Sequence, residues 1–319
     1  MRPTVLLSRR IPSVALSRLE EACDVDLFRG ARDPNEAELI AALRDRDGLV
    51  TPLTTTITRA VIDACPRLKV IANIAVGYNN IDLDAARERG VIVTNTPDVL
   101  TEASADLTWA LILGITRRVA EGDRLVRAGR WKGWALDFML GTDLRGKQLG
   151  VIGFGRIGQA VAARATAFGM RVAYQTRKVM GPPEYQPMPY DRLIATSDVV
   201  TLHCPLTDET RHLIDQKSFA RMKRSAYLIN TARGPVVDEA ALVWALKNHI
   251  IAGAALDVYE DEPNVPPDLR TLENVILAPH LGSATMETRT AMADLAVHNA
   301  VAVLTGNPPL TPVEAVRRS

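Results

Sequence analysis

Three residues suited to acid–base and anion chemistry follow predicted strands in the second half of the chain. Arg233 lies in "INTARGPVVDEAAL", Glu262 in "ALDVYEDEP" and His280 in "APHLGSAT". Open α/β sheets bind ligands outside the carboxyl ends of their strands, so these side chains can share one site. An arginine can hold a carboxylate with two parallel hydrogen bonds, a histidine can donate a proton near neutral pH, and a carboxylate can orient that histidine. The set would suit reduction of a 2-keto acid by hydride transfer.

Each of these residues also has an ordinary interpretation, and one rival stands nearby. An arginine after a strand is usually a surface ion pair, a glutamate in a turn is usually solvated, and a lone histidine is usually structural. His203, in "LHCPLTDET", also ends a predicted strand and is an alternative proton donor. Cys204 beside it is interpreted as lining a cofactor pocket rather than as a nucleophile, because the sequence offers no activating base nearby apart from His203.

A glycine-rich turn predicts where a dinucleotide would bind. "GVIGFGRIGQAVA" places Gly153, Gly155 and Gly158 in the spacing G-x-G-x-x-G between a predicted strand and a predicted helix. Gly153 permits the tight turn, Gly155 lets the backbone approach a pyrophosphate, and Gly158 lets helix and strand pack closely. The N-terminus of the following helix then offers N–H groups to the phosphates. The alternative is a glycine-rich turn that binds no ligand.

The next strand ends without the acid that an NAD site usually carries. In "GMRVAYQTRK" the expected position falls at about Thr176, followed by Arg177 and Lys178. A carboxylate there would accept hydrogen bonds from the ribose hydroxyls of NAD, whereas a hydroxyl and two cations would bind a 2′-phosphate. We therefore predict NADP(H) as the preferred cofactor, with NAD(H) possible. A solvated basic pair is the alternative.

Short apolar runs alternate with helical patterns along nearly the whole chain. Continuous apolar runs are typical of parallel strands buried on both faces, so an α/β fold is expected. Residues 100–129 predict a long helix, broken once, and residues 285–304 a last helix that packs on the first domain. "VMGPPEYQPMP", from Val179, predicts a surface loop. The predicted strands begin at Thr4, Val25, Gly48, Leu68, Val91, Gln148, Arg171, Asp198, Ala226, Ala252 and Asn274.

Composition limits the classes of function. The 319 residues suffice for two domains, and 47% apolar and 24% charged residues are typical of globular proteins. A formal net charge of +1 provides no basic field for nucleic acid. Cys23, Cys65 and Cys204 lack metal-like spacing and suit free thiols in a reducing, cytoplasmic compartment. No apolar run approaches the roughly 18 residues that a membrane span needs, so no membrane partner is expected.

Taken together and in this order, the four quoted motifs around Gly155, Arg233, Glu262 and His280 resemble the D-isomer-specific 2-hydroxyacid dehydrogenases over essentially the whole chain. The resemblance implies that Arg233 binds and polarises the substrate, that His280 is the acid/base and that Glu262 pairs with His280. It also implies two Rossmann-like or flavodoxin-like doubly wound domains with an active-site cleft between them. Residues 1–98 with 286–319 would bind substrate, and residues 99–285 would bind the dinucleotide.

The same resemblance implies further contacts. Family members are usually homodimers, and Trp134 of the partner subunit would reach the active site. In "NIAVGYNNIDL", backbone N–H groups around Val76 and Gly77 would hold the substrate carboxylate, and Leu53 in "VTPLTTTI" would contact the substrate. The cofactor-binding residues implied are Thr101, Phe154, Gly155, Arg156, Ile157, Gly158, Thr176, Arg177, Lys178, His203, Cys204, Pro205, Thr231, Ala232, Arg233, Asp257, His280 and Gly282.

Within the family the chain is most similar to glyoxylate/hydroxypyruvate reductases. The "TRK" segment suits a reductase that uses NADPH, the chain ends at Ser319 without the regulatory domain of many phosphoglycerate dehydrogenases, and Leu53 is apolar. Glu262 stands where the similar formate dehydrogenases have glutamine. The alternatives are NAD-linked oxidation of D-3-phosphoglycerate or D-lactate, and a nucleotide-sensing scaffold similar to the corepressor relatives of the family.

Overall fold

A computed structural model describes residues 2–177 and 181–313. The chain divides into two compact units, Met1–Leu100 with Thr285–Ser319, and Thr101–Ala284. Each unit contains one sheet, and every strand pairing within the two sheets is parallel. The α/β fold that the alternating pattern predicts is confirmed.

The first unit has a five-stranded sheet in the order β2-β1-β3-β4-β5. This is the flavodoxin-like order, in which the chain reverses direction across the sheet between the first and third strands. Its strands are β1 (Thr4–Leu7), β2 (Asp24–Leu27), β3 (Gly48–Pro52), β4 (Val70–Ile74) and β5 (Ile92–Thr94). Its helices are α1 (Ser13–Ala22), α2 (Glu36–Leu43), α3 (Arg59–Asp63), α4 (Leu83–Glu88) and α12 (Met286–Leu304).

Helices cover both faces of this sheet, which explains the continuous apolar runs of its central strands β1, β3 and β4. Helices α1 and α12 pack on one face, where Leu19 and Val297 are fully buried. Helices α2, α3 and α4 pack on the other, with Leu39, Ile62 and Ala85 fully buried. The segment after α12 returns to β5, where the Val313 N–H donates to the Val93 carbonyl.

The second unit has a seven-stranded sheet in the order β12-β11-β10-β9-β6-β7-β8. Its strands are β6 (Gln148–Ile152), β7 (Arg171–Gln175), β8 (Gln186–Pro187), β9 (Val199–Leu202), β10 (Tyr227–Asn230), β11 (Gly253–Leu256) and β12 (Val275–Leu277). Its helices are α5 (Thr101–Thr116), α6 (Val119–Arg127), α7 (Arg156–Ala165), α8 (Tyr190–Thr196), α9 (Gln216–Arg221), α10 (Glu239–Lys247) and α11 (Pro267–Thr271).

The strand order of the second unit is Rossmann-like, with one strand added at the β12 edge. The chain first adds β7 and β8 on one side of β6 and then continues from β9 on the other. The loops that follow β6 and β9 therefore diverge at the same edge of the sheet. A crevice at such a reversal point is where doubly wound sheets bind nucleotides.

Two local features refine the sequence-based expectations. The helix expected over residues 100–129 is interrupted at Arg118, whose φ of 57° is left-handed. The proline-rich segment expected as a loop contains β8, which pairs in parallel with β7. Proline is tolerated there because β8 is an edge strand. Among the described residues, no helix combines the length and apolar character that a bilayer crossing requires.

Candidate active site

The glycine-rich turn connects β6 to α7 and leaves open space above the backbone. Gly153 has a φ of 90°, and a Cβ at this position would overlap the backbone of Cys204, so the turn requires glycine. A Cβ on Gly155 would meet no atom within 4 Å. Gly155 also caps α7 without a side-chain hydrogen bond to the first N–H groups of the helix. An open approach to uncapped N–H groups fits a dinucleotide phosphate.

The end of β7 carries a charge arrangement that the sequence did not reveal. Thr176 is partly exposed directly after the strand, and Arg177 is exposed. The Arg177 guanidinium forms an ion pair with Glu209, which lies in the loop after β9. Lys178, the third predicted member of this group, lies outside the described residues.

The loop after β9 begins with His203 and Cys204, and burial controls the protonation of both. His203 Nε2 lies 2.9 Å from the Thr201 hydroxyl. Burial lowers the pKa of His203 to about 3, although part of the residue reaches solvent. Burial raises the pKa of the Cys204 thiol to about 11. His203 is thus neutral at pH 7 and poorly suited as a proton donor, and Cys204 is a thiol rather than a nucleophile.

His280 and Glu262 form a hydrogen-bonded pair at the carboxyl edge of the same sheet. His280 Nδ1 lies 2.8 Å from Glu262 Oε2, with 28% and 31% of the two side chains exposed. Glu262 Oε1 accepts a 3.1 Å hydrogen bond from the Tyr259 N–H. Burial by itself would raise the pKa of Glu262, but the hydrogen bond to His280 and its charge hold this pKa below the usual range. With Nδ1 engaged, Nε2 is the ring nitrogen left for proton transfer.

Arg233 follows β10 in a turn that its neighbours fix. The Asn230 amide donates to the Arg233 carbonyl at 3.0 Å and accepts from the Ala232 N–H at 3.1 Å. A Cβ on Gly234 would overlap the Tyr259 carbonyl, so the loops after β10 and β11 approach closely. Burial lowers the pKa of Arg233, while the charge of Glu262 raises it. The fold thus brings Arg233, Glu262 and His280 into one electrostatic cluster.

Asp257 holds the turn that presents His280. Its carboxylate accepts hydrogen bonds from the Leu281 N–H at 2.6 Å and the Gly282 N–H at 2.8 Å, and its carbonyl accepts from the His280 N–H at 2.9 Å. His280 has a left-handed φ of 56°, which needs support from its surroundings. Asp257 is 1% exposed, and burial raises its pKa. The contacts of Asp257 are therefore those of a residue that caps this turn.

In the first unit, the segment predicted to hold a carboxylate follows β4. Val76 and Gly77 are partly exposed, as is Leu53 after β3. The Val76 carbonyl accepts from the Asn95 side chain and the Gly77 carbonyl from the Asn73 side chain, each at 2.8 Å. Sequence reasoning missed both asparagines.

The remaining predicted residues differ in what they expose. Phe154 is 1% exposed and stacks on Tyr174 with ring centroids 4.1 Å apart, so only its backbone can face the turn. The Thr231 hydroxyl lies 3.0 Å from that of Thr108. Trp134 is 81% exposed. Arg156 and Pro205 are exposed, Thr101, Ile157 and Gly282 are partly exposed, and Gly158 and Ala232 are buried.

Comparison with known proteins gives a consistent result. Residues 109–282 match the NAD-binding domain of D-isomer-specific 2-hydroxyacid dehydrogenases. A glyoxylate reductase of Korarchaeum cryptofilum is 48% identical, over 97% of this chain and 95% of that protein. A solved Thermus thermophilus protein has a TM-score of 0.93 at 48% identity, over 98% of this chain and 100% of that one. An NADPH-dependent glyoxylate/hydroxypyruvate reductase of Sinorhizobium meliloti, solved with NADP and malonate, has a TM-score of 0.90 at 38% identity, over 98% and 97%.

Proposed function

The chain belongs to the D-isomer-specific 2-hydroxyacid dehydrogenase family, an oxidoreductase family, and from this premise we propose that it reduces the small 2-keto acids glyoxylate and hydroxypyruvate to 2-hydroxy acids. The observation that carries the proposal is the hydrogen bond of 2.8 Å between His280 and Glu262, within the electrostatic reach of Arg233. These are the proton donor, its orienting carboxylate and the cation that the reaction needs. The relatives named glyoxylate reductase support the choice of substrate.

Each residue of the cluster has a distinct task. A nicotinamide cofactor, when bound, supplies the hydride. Arg233 holds the substrate with its planar guanidinium and polarises the ketone. His280 donates the proton from Nε2 to the developing alkoxide, because Nδ1 is engaged by Glu262. The Glu262 carboxylate keeps the ring oriented and stabilises the imidazolium before transfer.

The first unit is proposed to bind substrate and the second to bind the dinucleotide. The open turn at Gly155 and the uncapped start of α7 support phosphate binding by the second unit, together with Gly158 and the residues after β9 and β10. Val76 and Gly77 of the first unit are proposed to bind the substrate carboxylate, and Leu53 to contact the substrate.

NADPH is the proposed preferred cofactor. Thr176 and Arg177 stand at the end of β7, where an NAD site would carry an acid, and the Sinorhizobium meliloti neighbour is described as NADPH-dependent. The ion pair between Arg177 and Glu209 favours some use of NADH as well, since the carboxylate competes with a 2′-phosphate for the same cation. NAD-linked activity on another 2-hydroxy acid is therefore the second candidate.

A homodimer is the proposed assembly. Residues 128–143 expose large apolar side chains, among them Trp134 at 81%, Leu136 at 82% and Leu140 at 66%. Apolar surface of this kind often marks a protein contact. In the dimer, Trp134 of the partner subunit would complete the active site. Light scattering on the purified protein tests this assembly, and a monomer at micromolar concentration would contradict it.

The proposed activity is tested by initial rates of NADPH and NADH oxidation with glyoxylate and hydroxypyruvate at neutral pH. Turnover with a clear NADPH preference is the expected result. Turnover with NADH preference would retain the reductase and remove the phosphate-binding role of Thr176 and Arg177. Absence of turnover with both cofactors and both keto acids would contradict the proposed function.

A further inference from the structure

Four successive carbonyl groups after β4 all accept hydrogen bonds from the body of the first unit. The acceptors are the carbonyls of residues 75–78. The Thr96 N–H donates to Ala75 at 2.8 Å, and the Ile81 N–H donates to Tyr78 at 3.0 Å. Between them, the side-chain amide of Asn95 donates to Val76 and that of Asn73 to Gly77, each at 2.8 Å. Side chains thus supply the two central hydrogen bonds, which a regular turn would make with its own backbone.

Because the peptide bond is planar, the hydrogen bonds to these carbonyls also fix the direction of the N–H groups in the same peptides. In a trans peptide, the carbonyl of one residue and the N–H of the next point in opposite directions. The carbonyls of residues 75, 76 and 77 are directed to Thr96, Asn95 and Asn73, respectively. The N–H group that follows each carbonyl therefore points away from that carbonyl's donor. These are the N–H groups of Val76, Gly77 and Tyr78, for which the structure gives no acceptor among the residues that it describes. All three residues are partly exposed.

Both asparagines are themselves held in place. Asn73 is fully buried, and its side-chain oxygen lies 3.3 Å from the Asn80 amide nitrogen, which donates to the Thr55 carbonyl at 3.0 Å. The Asn95 carbonyl accepts from the Thr311 hydroxyl at 2.6 Å, and that hydroxyl accepts from the Asn299 amide at 2.8 Å. The segment after α12 therefore fixes one of the two donors.

We propose that Asn73 and Asn95 are positioning residues for substrate binding, which hold the Val76 and Gly77 carbonyls so that the N–H groups of Val76, Gly77 and Tyr78 face the carboxylate of a 2-keto acid. Successive N–H groups that face one side form a favourable binding surface for an anion. The inference rests on the proposed function, and it adds Tyr78 as a third N–H donor. It also explains why an apolar segment, without a cation of its own, can take a carboxylate.

The test replaces Asn95→Ala and compares it with Asn274→Ala. Asn274 is a matched control, because its amide also donates to a main-chain carbonyl, that of Leu246 at 3.2 Å, in the second unit. Three quantities are measured: the kcat and KM for glyoxylate at saturating NADPH, and the Kd of oxalate for the NADP-bound protein by calorimetry. We expect Asn95→Ala to raise both KM and Kd by about three- to tenfold, the effect of one lost hydrogen bond. Its kcat and cofactor affinity should stay within about twofold, and Asn274→Ala should leave KM and Kd unchanged.

Several outcomes separate this inference from the function on which it rests. A folded Asn95→Ala and a folded Asn73→Ala that both keep the wild-type KM and Kd would overturn the positioning role. So would a lower kcat with unchanged KM, since that result indicates fewer folded molecules. If wild-type protein reduces neither keto acid while Asn95→Ala still weakens oxalate binding, the proposed function fails and the positioning role stands. Should Asn95→Ala not fold, Thr311→Val supplies the test, because it removes the hydroxyl that holds the Asn95 carbonyl and leaves the Asn95 side chain intact, although Asn299 also loses an acceptor. A raised KM and Kd would support the positioning role, and wild-type values would overturn it.

Discussion

Two histidines, His203 and His280, follow strands at the carboxyl edge of the second sheet, and their surroundings differ. His280 Nδ1 lies 2.8 Å from a carboxylate oxygen of Glu262, whereas His203 contacts the Thr201 hydroxyl and burial lowers its pKa to about 3. His280 is therefore the proposed proton donor, and His203 is not. We expect His280→Gln to lower kcat by about 10²–10⁴-fold, the usual contribution of general acid–base catalysis. Steady-state kinetics with glyoxylate and NADPH measures this loss.

His203→Gln is the control for that experiment. Its amide can still contact the Thr201 hydroxyl that His203 contacts at 2.9 Å, so kcat should remain within a few-fold of wild type. The acid assignment would be wrong if His203→Gln lost its turnover and His280→Gln kept it. Circular dichroism and a thermal melt of both variants show whether either loss reflects unfolding.

Glu209 is the residue that should set the strength of the cofactor preference. Its carboxylate pairs with Arg177, and both side chains are largely exposed, at 73% and 61%. To bind Arg177, a 2′-phosphate must displace the Glu209 carboxylate from the guanidinium, and it must also approach the negative charge of Glu209. We expect Glu209→Gln to lower the Kd of NADPH by about two- to fivefold, and that of NADH by less than twofold, because exposed charge pairs contribute up to about 1 kcal/mol. Fluorescence titration of both cofactors measures the ratio.

Arg177→Gln supplies the opposite change at the same pair. It should weaken the binding of NADPH and leave the binding of NADH nearly unchanged. Raised salt should reduce the difference in NADPH affinity between wild type and Glu209→Gln, because salt screens exposed charges. Equal effects of Glu209→Gln on both cofactors would show that Glu209 does not act through the 2′-phosphate. If Arg177→Gln also weakened the binding of both cofactors equally, Arg177 would have no role in cofactor choice.

At the scale of elements, two glycines at strand ends serve different purposes, and one substitution separates them. A Cβ on Gly155 meets nothing within 4 Å, whereas a Cβ on Gly234 would overlap the Tyr259 carbonyl. We expect Gly155→Ala to keep the wild-type Tm and weaken NADPH binding, since the added methyl group lies where a pyrophosphate would approach. Gly234→Ala should instead lose about 1–3 kcal/mol of folding free energy through overpacking. Thermal melts and NADPH titrations of both variants test the pair.

The opposite result would be informative for the turn after β6. If Gly155→Ala melted below wild type by as much as Gly234→Ala, the open space at Gly155 would have a structural purpose. If Gly155→Ala bound NADPH with the wild-type Kd, the pyrophosphate of the cofactor would not approach the backbone at residue 155.

The sequence predicted the helices and strands better than it predicted the contacts between them. Continuous apolar runs located the strands β6 and β9 because parallel strands bury both faces. β8 was missed, since two residues at a sheet edge leave no periodic signal. Arg233, Glu262 and His280 could be proposed from the sequence because each lies in the loop that follows a predicted strand.

The residues that were missed act through contacts that no local pattern specifies. Glu209 pairs with an arginine 32 residues away, and Asn95 donates to a carbonyl 19 residues away. A polar residue in a loop is compatible with many partners, and tertiary packing selects one of them. The segment "TRK" alone therefore predicts a strong preference for NADPH, because the sequence does not show that Glu209 pairs with Arg177.

At the scale of the whole molecule, a formal net charge of +1 at pH 7 means that overall repulsion does not oppose folding near neutrality. The response to acid should therefore come first from single carboxylates with unusual surroundings. Asp47, before β3, is 6% exposed and accepts hydrogen bonds at 3.0 Å from both the backbone N–H and the hydroxyl of Thr4. It also pairs with Arg67 at 3.1 Å and Lys69 at 3.4 Å. These contacts connect the amino-terminal ends of β1 and β4.

The stabilising effect of Asp47 should disappear in acid. Burial would raise its pKa, but the hydrogen bonds from Thr4 and the two cations lower it from 3.8 to about 2. A carboxyl whose pKa is lower in the folded state stabilises the fold above pH 4 and loses that effect as the pH falls towards 2. The shift corresponds to about 2 kcal/mol. We expect urea unfolding, followed at pH 7, 5, 3 and 2, to show this loss in wild type.

Asp47→Asn should already lack this stability at pH 7 and change less between pH 5 and pH 2. Asp84→Asn is a matched control in the same unit, because Asp84 forms an exposed pair with Arg87 at 2.9 Å and exposed pairs contribute little. Since the chain has two units, the transition must be assigned by a probe in the first, such as the fluorescence of a tryptophan introduced at Phe28. Identical pH dependence in wild type and Asp47→Asn would show that other carboxylates control acid unfolding, and that the contacts of Asp47 persist in the unfolded chain or contribute nothing.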